Sequence, residues 1–104
     1  MNFNITARHF ELSQKVKDYV AKKLKKLEHY DHLITKVDIV LWDEANMKTV
    51  EGKVSLRGNY VIAKTTSNDF MLAINMLADK LLKQIKTFDD KIKSKKRLSH
   101  QAKK

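Results

Sequence analysis

Hydrophobic and polar residues alternate with two different periods, and these periods divide the chain into strands and helices. Phe3 and Ile5 alternate with polar neighbours, which is the period of two typical of a half-buried strand. Over residues 13–30 the apolar positions instead recur every three or four residues: Val16, Val20, Leu24 and Leu27. This spacing predicts an amphipathic helix over 13–30, with Ser13 as its N-cap.

Three β-rich runs follow this helix, at residues 37–42, 49–57 and 60–66. Residues 31–36 and 43–48 are predicted to be a loop and a polar connection. Gly58 and Asn59 are the predicted two-residue hairpin turn, because both tolerate the positive φ that tight turns need. In the last strand, Val61, Ala63 and Thr65 are predicted to face the core.

A second amphipathic helix is predicted after a cap at Ser67, Asn68 or Asp69. Its apolar stripe consists of Phe70, Ile74, Leu77, Ala78, Leu81, Ile85 and Phe88. The chain contains no proline, so nothing interrupts this helix before Asp89. We therefore expect one domain over residues 1–90 and a basic, flexible tail over 91–104, where apolar residues become sparse.

The predicted order is β-α-β-β-β-α, which indicates an α+β fold. A strand–helix–strand crossover makes the first two strands parallel, and the later strands form an antiparallel meander. Each helix has one apolar face. We therefore predict a two-layer sandwich, a four-stranded sheet with two helices packed on one face.

The formal net charge of +10 is unevenly distributed and indicates an anionic partner. The 13–30 segment has six lysines against two acids, and residues 91–104 have seven bases and no acid. Nucleic acid is favoured over an anionic membrane surface, although a merely solvated lysine face remains an alternative. No apolar run approaches the length of a membrane span, and no signal peptide is evident.

The sequence contains no recognisable catalytic or cofactor motif. Its two glycines exclude a P-loop and a dinucleotide fingerprint, and the absence of cysteine excludes thiolate chemistry. His29 and His32, with Asp31 between them, could supply two or three metal ligands, but we interpret them as surface histidines. The carboxylate pairs are predicted to be solvated turn residues: Asp43 with Glu44, and Asp89 with Asp90. We expect no enzyme, metal, cofactor or small-molecule substrate.

The remaining candidate is a binding surface on the helices. Lys22 and Lys26 share one flank of the first helix, and Lys23 lies nearer the core edge. Lysines of the second helix would extend this strip if the helices pack side by side: Lys80, Lys83 and Lys91, with Lys86 further round. Such lysines suit phosphate contacts. The open sheet face offers Trp42, Tyr60, Lys53, Arg57 and Lys64, which either stack nucleobases or form an ordinary polar face.

The chain resembles the short ribosome hibernation promoting factors, a family related to protein Y. The resemblance lies in five stretches: N-I-T at 4–6, E-L-S at 11–13, K-L-K-K-L-E-H-Y at 23–30, V-D-I-V-L at 37–41 and D-F-M-L-A-I-N-M-L-A-D-K-L-L-K-Q-I at 69–85. It implies the same β-α-β-β-β-α fold. It also implies RNA-binding roles for Lys17, Lys23, Lys26, Lys80, Lys83 and Lys91, and for Arg8, where some members carry a base. With Lys22 and Lys86 these residues form the predicted RNA-binding set.

This resemblance implies a monomeric cytoplasmic factor of stationary phase. Its expected partner is the small ribosomal subunit, whose rRNA it would bind in the channel used by mRNA and tRNA, inhibiting translation. The basic tail favours the type that promotes ribosome dimers alongside a second small ribosome-dimerising factor. Two alternatives remain open: a general double-stranded-RNA-binding module, and a protein-interaction module that modulates a sigma factor.

Overall fold

Four strands and two α-helices follow one another in the predicted β-α-β-β-β-α order. The computed structural model describes the backbone of residues 2–102 and the side chains of residues 2–93. Its elements are β1 (Asn2–Ala7), α1 (Gln14–Leu24), a 3₁₀-helix (Lys25–Tyr30), β2 (Ile34–Glu44), β3 (Met47–Leu56), β4 (Asn59–Ser67) and α2 (Phe70–Ala102).

The strands form one sheet in the order β1-β2-β3-β4. β1 pairs with β2 in parallel, with Ile5 opposite Ile39, and the other two pairs are antiparallel. The predicted parallel first pair and antiparallel meander are therefore confirmed.

Both helices cover the same face of this sheet, and the core lies between the two layers. From the sheet, Val37, Ile39 and Leu41 of β2 and Val50 and Val54 of β3 are almost fully buried. The helices contribute a second buried set, which consists of Val20, Leu24, Leu27, Ala73, Ile74, Leu77, Ala78, Leu81 and Ile85. The predicted α+β two-layer sandwich is confirmed, and so is the inward-facing set of β4, in which Val61 is half-buried and Ala63 and Thr65 are buried.

The first helix begins as predicted but changes its winding before residue 30. Val16 N donates to Ser13 Oγ at 3.2 Å, which confirms the N-cap. The α-helix ends at Leu24, and the chain continues as a 3₁₀-helix to Tyr30. Leu24, Leu27 and Tyr30 are three residues apart and all buried. The three-residue repeat of a 3₁₀-helix places such residues on one line, which explains the change.

Both hairpin turns differ from the sequence-based assignment. The turn between β3 and β4 is formed by Arg57 and Gly58, because Asn59 already pairs with Leu56 in the ladder. Of the predicted turn residues Gly58 and Asn59, only Gly58 takes a positive φ, of 77°. Between β2 and β3, the predicted connection at 43–48 shrinks to two residues, Ala45 and Asn46, because the strands extend to Glu44 and from Met47.

Several smaller boundaries also shift. β2 begins at Ile34, so the predicted 31–36 loop is shorter than expected. Asp69 is the cap of α2, since Met71 N donates to its Oδ1 at 3.1 Å. The carboxylates that were predicted to be turn residues lie in regular structure, Asp43 and Glu44 in β2 and Asp89 and Asp90 in α2.

The end of α2 overlaps the predicted tail. The helix extends to Ala102, beyond the residue 91 boundary. Side chains from 94 onward lie outside the described residues, so the flexibility of the 91–104 segment stays a prediction.

Candidate nucleic-acid interface

The two helices lie side by side and run in the same direction. At one end the Phe10 ring, just before α1, stacks on the Phe70 ring at the start of α2, with a centroid distance of 5.2 Å. Further along, Lys26 Nζ lies 2.7 Å from Asp79 Oδ1. These contacts orient one flank of α1 and the 3₁₀-helix towards α2.

The lysines of that flank have three different environments. Lys22 is exposed, and no carboxylate lies within ion-pair distance of it among the described side chains. Lys23 is half-buried, as predicted, and its Nζ lies 5.4 Å from the centre of the Tyr19 ring, a cation–π contact. Lys26 is neutralised in part by Asp79. The first helix and the 3₁₀-helix therefore carry one free and two partly engaged cations at these positions, and Lys26 is the one that contacts α2.

The lysines of α2 lie on both sides of its exposed surface. Lys86 follows Asp79 by roughly two helical turns and lies on the same side, towards α1. Lys83 and Lys91 instead line a cleft between α2 and the first residues of β4. Lys80 is exposed and lies one turn before Gln84, on the same side of α2 as this cleft. The basic surface is therefore broad, with α2 as its ridge, rather than a single strip.

Two predicted residues lie away from this ridge. Arg8 has its Cζ 4.9 Å from the centre of the Trp42 ring. Trp42 follows the buried Leu41 in β2 and therefore lies on the open face of the sheet, opposite the helices. Lys17 is exposed one turn before Ala21, which packs near Phe3 of β1. The structure thus divides the predicted set between the region where the helices meet, the β4 side of α2, and the separate positions of Arg8 and Lys17.

The two faces of the molecule differ in how their cations are paired. On the open face of the sheet, carboxylates lie beside two lysines, Asp38 at 3.7 Å from Lys36 and Glu44 at 3.4 Å from Lys64. A third pair, Asp43 with Lys48 at 2.6 Å, lies on the helix-covered face, where Lys48 Nζ is also 5.4 Å from the centre of the Phe70 ring. On α1, the 3₁₀-helix and α2 as far as residue 93, only Lys26 and Lys93 have such a partner. The helix side therefore carries the larger uncompensated positive charge.

The aromatic residues of the open sheet face are covered by cations. Lys64 Nζ lies 5.4 Å from the Trp42 ring centre and Lys53 Nζ lies 4.7 Å from that of Tyr60. The side chains of Lys64 and Lys53 therefore lie over the ring faces on which a nucleobase would stack. This arrangement favours the interpretation as a polar face with snorkelling lysines over the stacking alternative.

Sequence reasoning missed two features of the helix side. Asp79 is 53 positions from Lys26, and no local pattern couples them. The cleft beside Lys83 and Lys91 also contains Gln84 and Thr87. Gln84, Thr87 and Lys91 recur at three- and four-residue spacing along α2, and this spacing could have indicated that they share one polar side.

The remaining titratable groups form no chemical site in the described part of the chain. No three metal-ligating side chains converge there, and the His29 ring packs edge-on against Tyr30 at 4.9 Å. Asp89 is nearly buried, and its hydrogen bond and charge raise the pKa of Lys93 above the usual lysine value. Within the same residues, no helix is long and apolar enough to cross a membrane.

Comparison with known proteins places this geometry in a family. Residues 3–93 match the family described as Sigma 54 modulation protein / S30EA ribosomal protein. The chain is also 35% identical over 94 residues to the ribosome hibernation promoting factor of Pseudomonas putida, covering 90% of this chain and 92% of that one. The chain belongs to the ribosome hibernation promoting factor family. The Escherichia coli K12 factor of the same name is 32% identical, covering 89% of this chain and 98% of that one.

Solved structures of related proteins agree with this assignment. The N-terminal domain of Thermus thermophilus protein Y superposes with a TM-score of 0.77 at 30% identity, covering 85% of this chain and 99% of that one. A ribosomal subunit interface protein from Coxiella burnetii has a TM-score of 0.81 at 22% identity, covering 86% and 99%, and supports the fold alone. The family resemblance seen in the sequence is confirmed. Membership in this family also makes the chain a non-enzymatic protein.

Proposed function

We propose that this protein acts as a hibernation factor in the cytoplasm during stationary phase, by binding the small ribosomal subunit through its rRNA. In this proposal the protein occupies the channel used by mRNA and tRNA and so inhibits translation. It also stabilises inactive ribosomes and promotes their pairing, alongside a second small dimerising factor. The similarity of the chain to the ribosome hibernation promoting factors of Pseudomonas putida and Escherichia coli supports the hibernation role.

The observation that carries the proposal is the difference in charge pairing between the two faces. Phosphate groups of a folded RNA form a surface of high negative charge density, and each lysine that neutralises one of them releases a counterion. Lys22 and Lys86 are exposed on two parallel helices and have no carboxylate partner among the described side chains. They are therefore available for phosphate, whereas the sheet-side lysines at 36 and 64 would first have to release a carboxylate.

Phosphate contacts of this kind position a protein without reading base sequence. Specificity for one channel would then come from shape, because two rigid helices on one sheet present cations at fixed separations. A general double-stranded-RNA binder would use the same lysines but would need no particular groove. Bulk duplex RNA should displace a general binder from ribosomes, whereas a factor fitted to the channel should resist it.

A sucrose gradient of stationary-phase extract, with and without this protein, tests the proposal. We expect the protein to sediment with small subunits, and we expect fewer paired ribosomes in its absence. A protein that stays at the top of the gradient would contradict ribosome binding. Sedimentation with subunits but unchanged pairing would confine the function to inactivation of single ribosomes. Displacement by duplex RNA at equal phosphate concentration would support the general binder instead.

A further inference from the structure

The cleft between α2 and the start of β4 has the size and the lining of a small-ligand site. Its volume is about 410 Å³, within the range of roughly 300–1,000 Å³ in which small molecules are bound. The lining combines an apolar floor with polar walls and two cations: Val61 and Phe88, then Asn59, Gln84 and Thr87, then Lys83 and Lys91. An apolar surface flanked by amides and ammonium groups matches the flat base and the phosphates of a nucleotide.

The polar wall is held in place by hydrogen bonds to the backbone. Gln84 Nε2 donates to the carbonyl oxygen of Ile62 at 3.0 Å, which leaves the Gln84 amide oxygen as an acceptor. Asn59 Oδ1 accepts from Tyr60 N at 2.8 Å, which leaves the Asn59 amide nitrogen as a donor. A fixed acceptor and a fixed donor suit the edge of a nucleobase, which itself carries both kinds of group.

The two cations stand at opposite ends of the cleft. Lys83 and Lys91 are eight residues apart on one helix, which corresponds to roughly 12 Å along its axis. Neither has a carboxylate partner among the described side chains. Because each ammonium group stands on its own flexible stem, the two lysines can each contact one of the two phosphates that flank a nucleotide in an RNA strand.

We propose that this cleft binds a single unstacked nucleotide of an RNA strand. The base lies against Val61 and Phe88, and its 5′ and 3′ phosphates contact Lys83 and Lys91. This inference rests on the proposed RNA-binding function and adds to it a pocket for one extruded nucleotide. An aromatic floor makes base binding tolerant of sequence, because every base has a π-face to place on Phe88.

Titration of the ¹⁵N-labelled protein with three probes tests this pocket. Adenosine 3′,5′-bisphosphate should shift the backbone resonances of Val61 and Thr87 and the side-chain amides of Asn59 and Gln84. Adenosine 5′-monophosphate should cause the same shifts more weakly, and inorganic phosphate should not reproduce them. Equal shifts along α1 and α2 with every probe would overturn the proposal in favour of diffuse anion binding.

A pair of double variants separates the pocket from general charge. Lys83→Ala with Lys91→Ala should weaken bisphosphate binding by roughly tenfold or more, as expected when two phosphate contacts are lost. Lys36→Ala with Lys53→Ala removes the same charge from the opposite face and should leave the titration unchanged. Equal weakening by both double variants would overturn the proposal. So would an acidic peptide that causes the same shifts with equal affinity, since the cleft would then be a general anionic docking site.

Two further measurements show whether the nucleotide comes from an RNA strand and test the pocket separately from ribosome binding. A single-stranded tetranucleotide should bind more tightly than the bisphosphate, and a duplex of the same sequence should not enter the cleft. Preference for the free bisphosphate over the tetranucleotide would overturn the RNA assignment. If the protein sediments with small subunits while the cleft gives no shifts, the pocket fails and the ribosomal function stands. If the cleft binds the tetranucleotide but the protein does not sediment with small subunits, the proposed ribosomal function is contradicted and the pocket stands.

Discussion

Lys26 Nζ lies 2.7 Å from Asp79 Oδ1, and this ion pair joins the 3₁₀-helix after α1 to the N-terminal third of α2. The two side chains are 38% and 63% exposed, so the pair contributes at most about 1 kcal/mol to stability. Its larger effect is on the basic surface. One of the predicted RNA-binding lysines is already engaged with a carboxylate, and phosphate has to compete for it.

Asp79→Asn should therefore tighten binding to the small subunit. The substitution frees the Lys26 ammonium for phosphate and, through one further contact, should steepen the dependence of log affinity on log salt by about 0.7–0.9. Equilibrium binding to purified subunits at several salt concentrations measures both effects. Asp90→Asn is the matched control, because Asp90 is also exposed on α2 and no described lysine is ion-paired with it. Identical effects of the two substitutions on affinity and salt slope would show that loss of the ion pair with Asp79 does not give Lys26 a new phosphate contact.

Gly52→Ala should destabilise the fold. A Cβ at Gly52 would lie 2.9 Å from Leu81 Cδ1 and 3.1 Å from both Ile39 Cδ1 and Leu77 Cδ2. All three neighbours are at most 1% exposed, so they have little room to move. Overpacking of this kind costs roughly 1–3 kcal/mol, which exceeds what alanine gains over glycine in a strand.

Urea unfolding followed by circular dichroism measures the effect of Gly52→Ala. Ser55→Ala provides the comparison, since Ser55 is half-buried on the open face of the same strand. An unchanged midpoint for Gly52→Ala would mean that α2 moves away from the sheet without cost.

The two hairpin turns should respond oppositely to exchange of glycine and alanine. Ala45 has φ of 50°, a left-handed conformation that costs an L-residue roughly 1–2 kcal/mol. Ala45→Gly should therefore stabilise the protein by about 0.5–1 kcal/mol after the entropy of the unfolded glycine is subtracted. Gly58→Ala, at φ of 77°, should destabilise it although a Cβ there meets no atom within 4 Å. Thermal unfolding compares both variants, and a lower midpoint for Ala45→Gly would contradict the strain argument.

Most of the fold was predictable because its elements carry clear periods. The strands alternate, α2 has one apolar stripe, and the crossover rule then leaves few topologies. Local winding was less predictable. Leu24, Leu27 and Tyr30 fit an α-helical face and a 3₁₀ repeat almost equally well, and only packing against the sheet decides between them. The connection at 43–48 was predicted, but its tight two-residue turn at Ala45 was not, because alanine gives no signal for a positive φ.

The candidate site was predictable only as far as it depends on one helix at a time. The flank positions of Lys22 and Lys86 follow from periodicity within α1 and α2. The partner of Lys26 and the cleft at Lys83 depend on how distant segments meet, which no local pattern encodes. Arg8 was grouped with the helix lysines by resemblance, but its contact with Trp42 places it on the opposite face.

The central claim is that the helix side, and not the sheet side, contacts the phosphates of ribosomal RNA. Two double variants remove equal charge from the two faces: Lys22→Gln with Lys86→Gln on the helices, and Lys53→Gln with Lys64→Gln on the sheet. Affinity for purified small subunits, measured at a series of salt concentrations, compares them directly. We predict that the helix variant makes the log–log salt slope shallower by roughly 1.5, whereas the sheet variant leaves it unchanged. A sheet variant that loses as much slope as the helix variant, or a helix variant that loses none, would contradict the account.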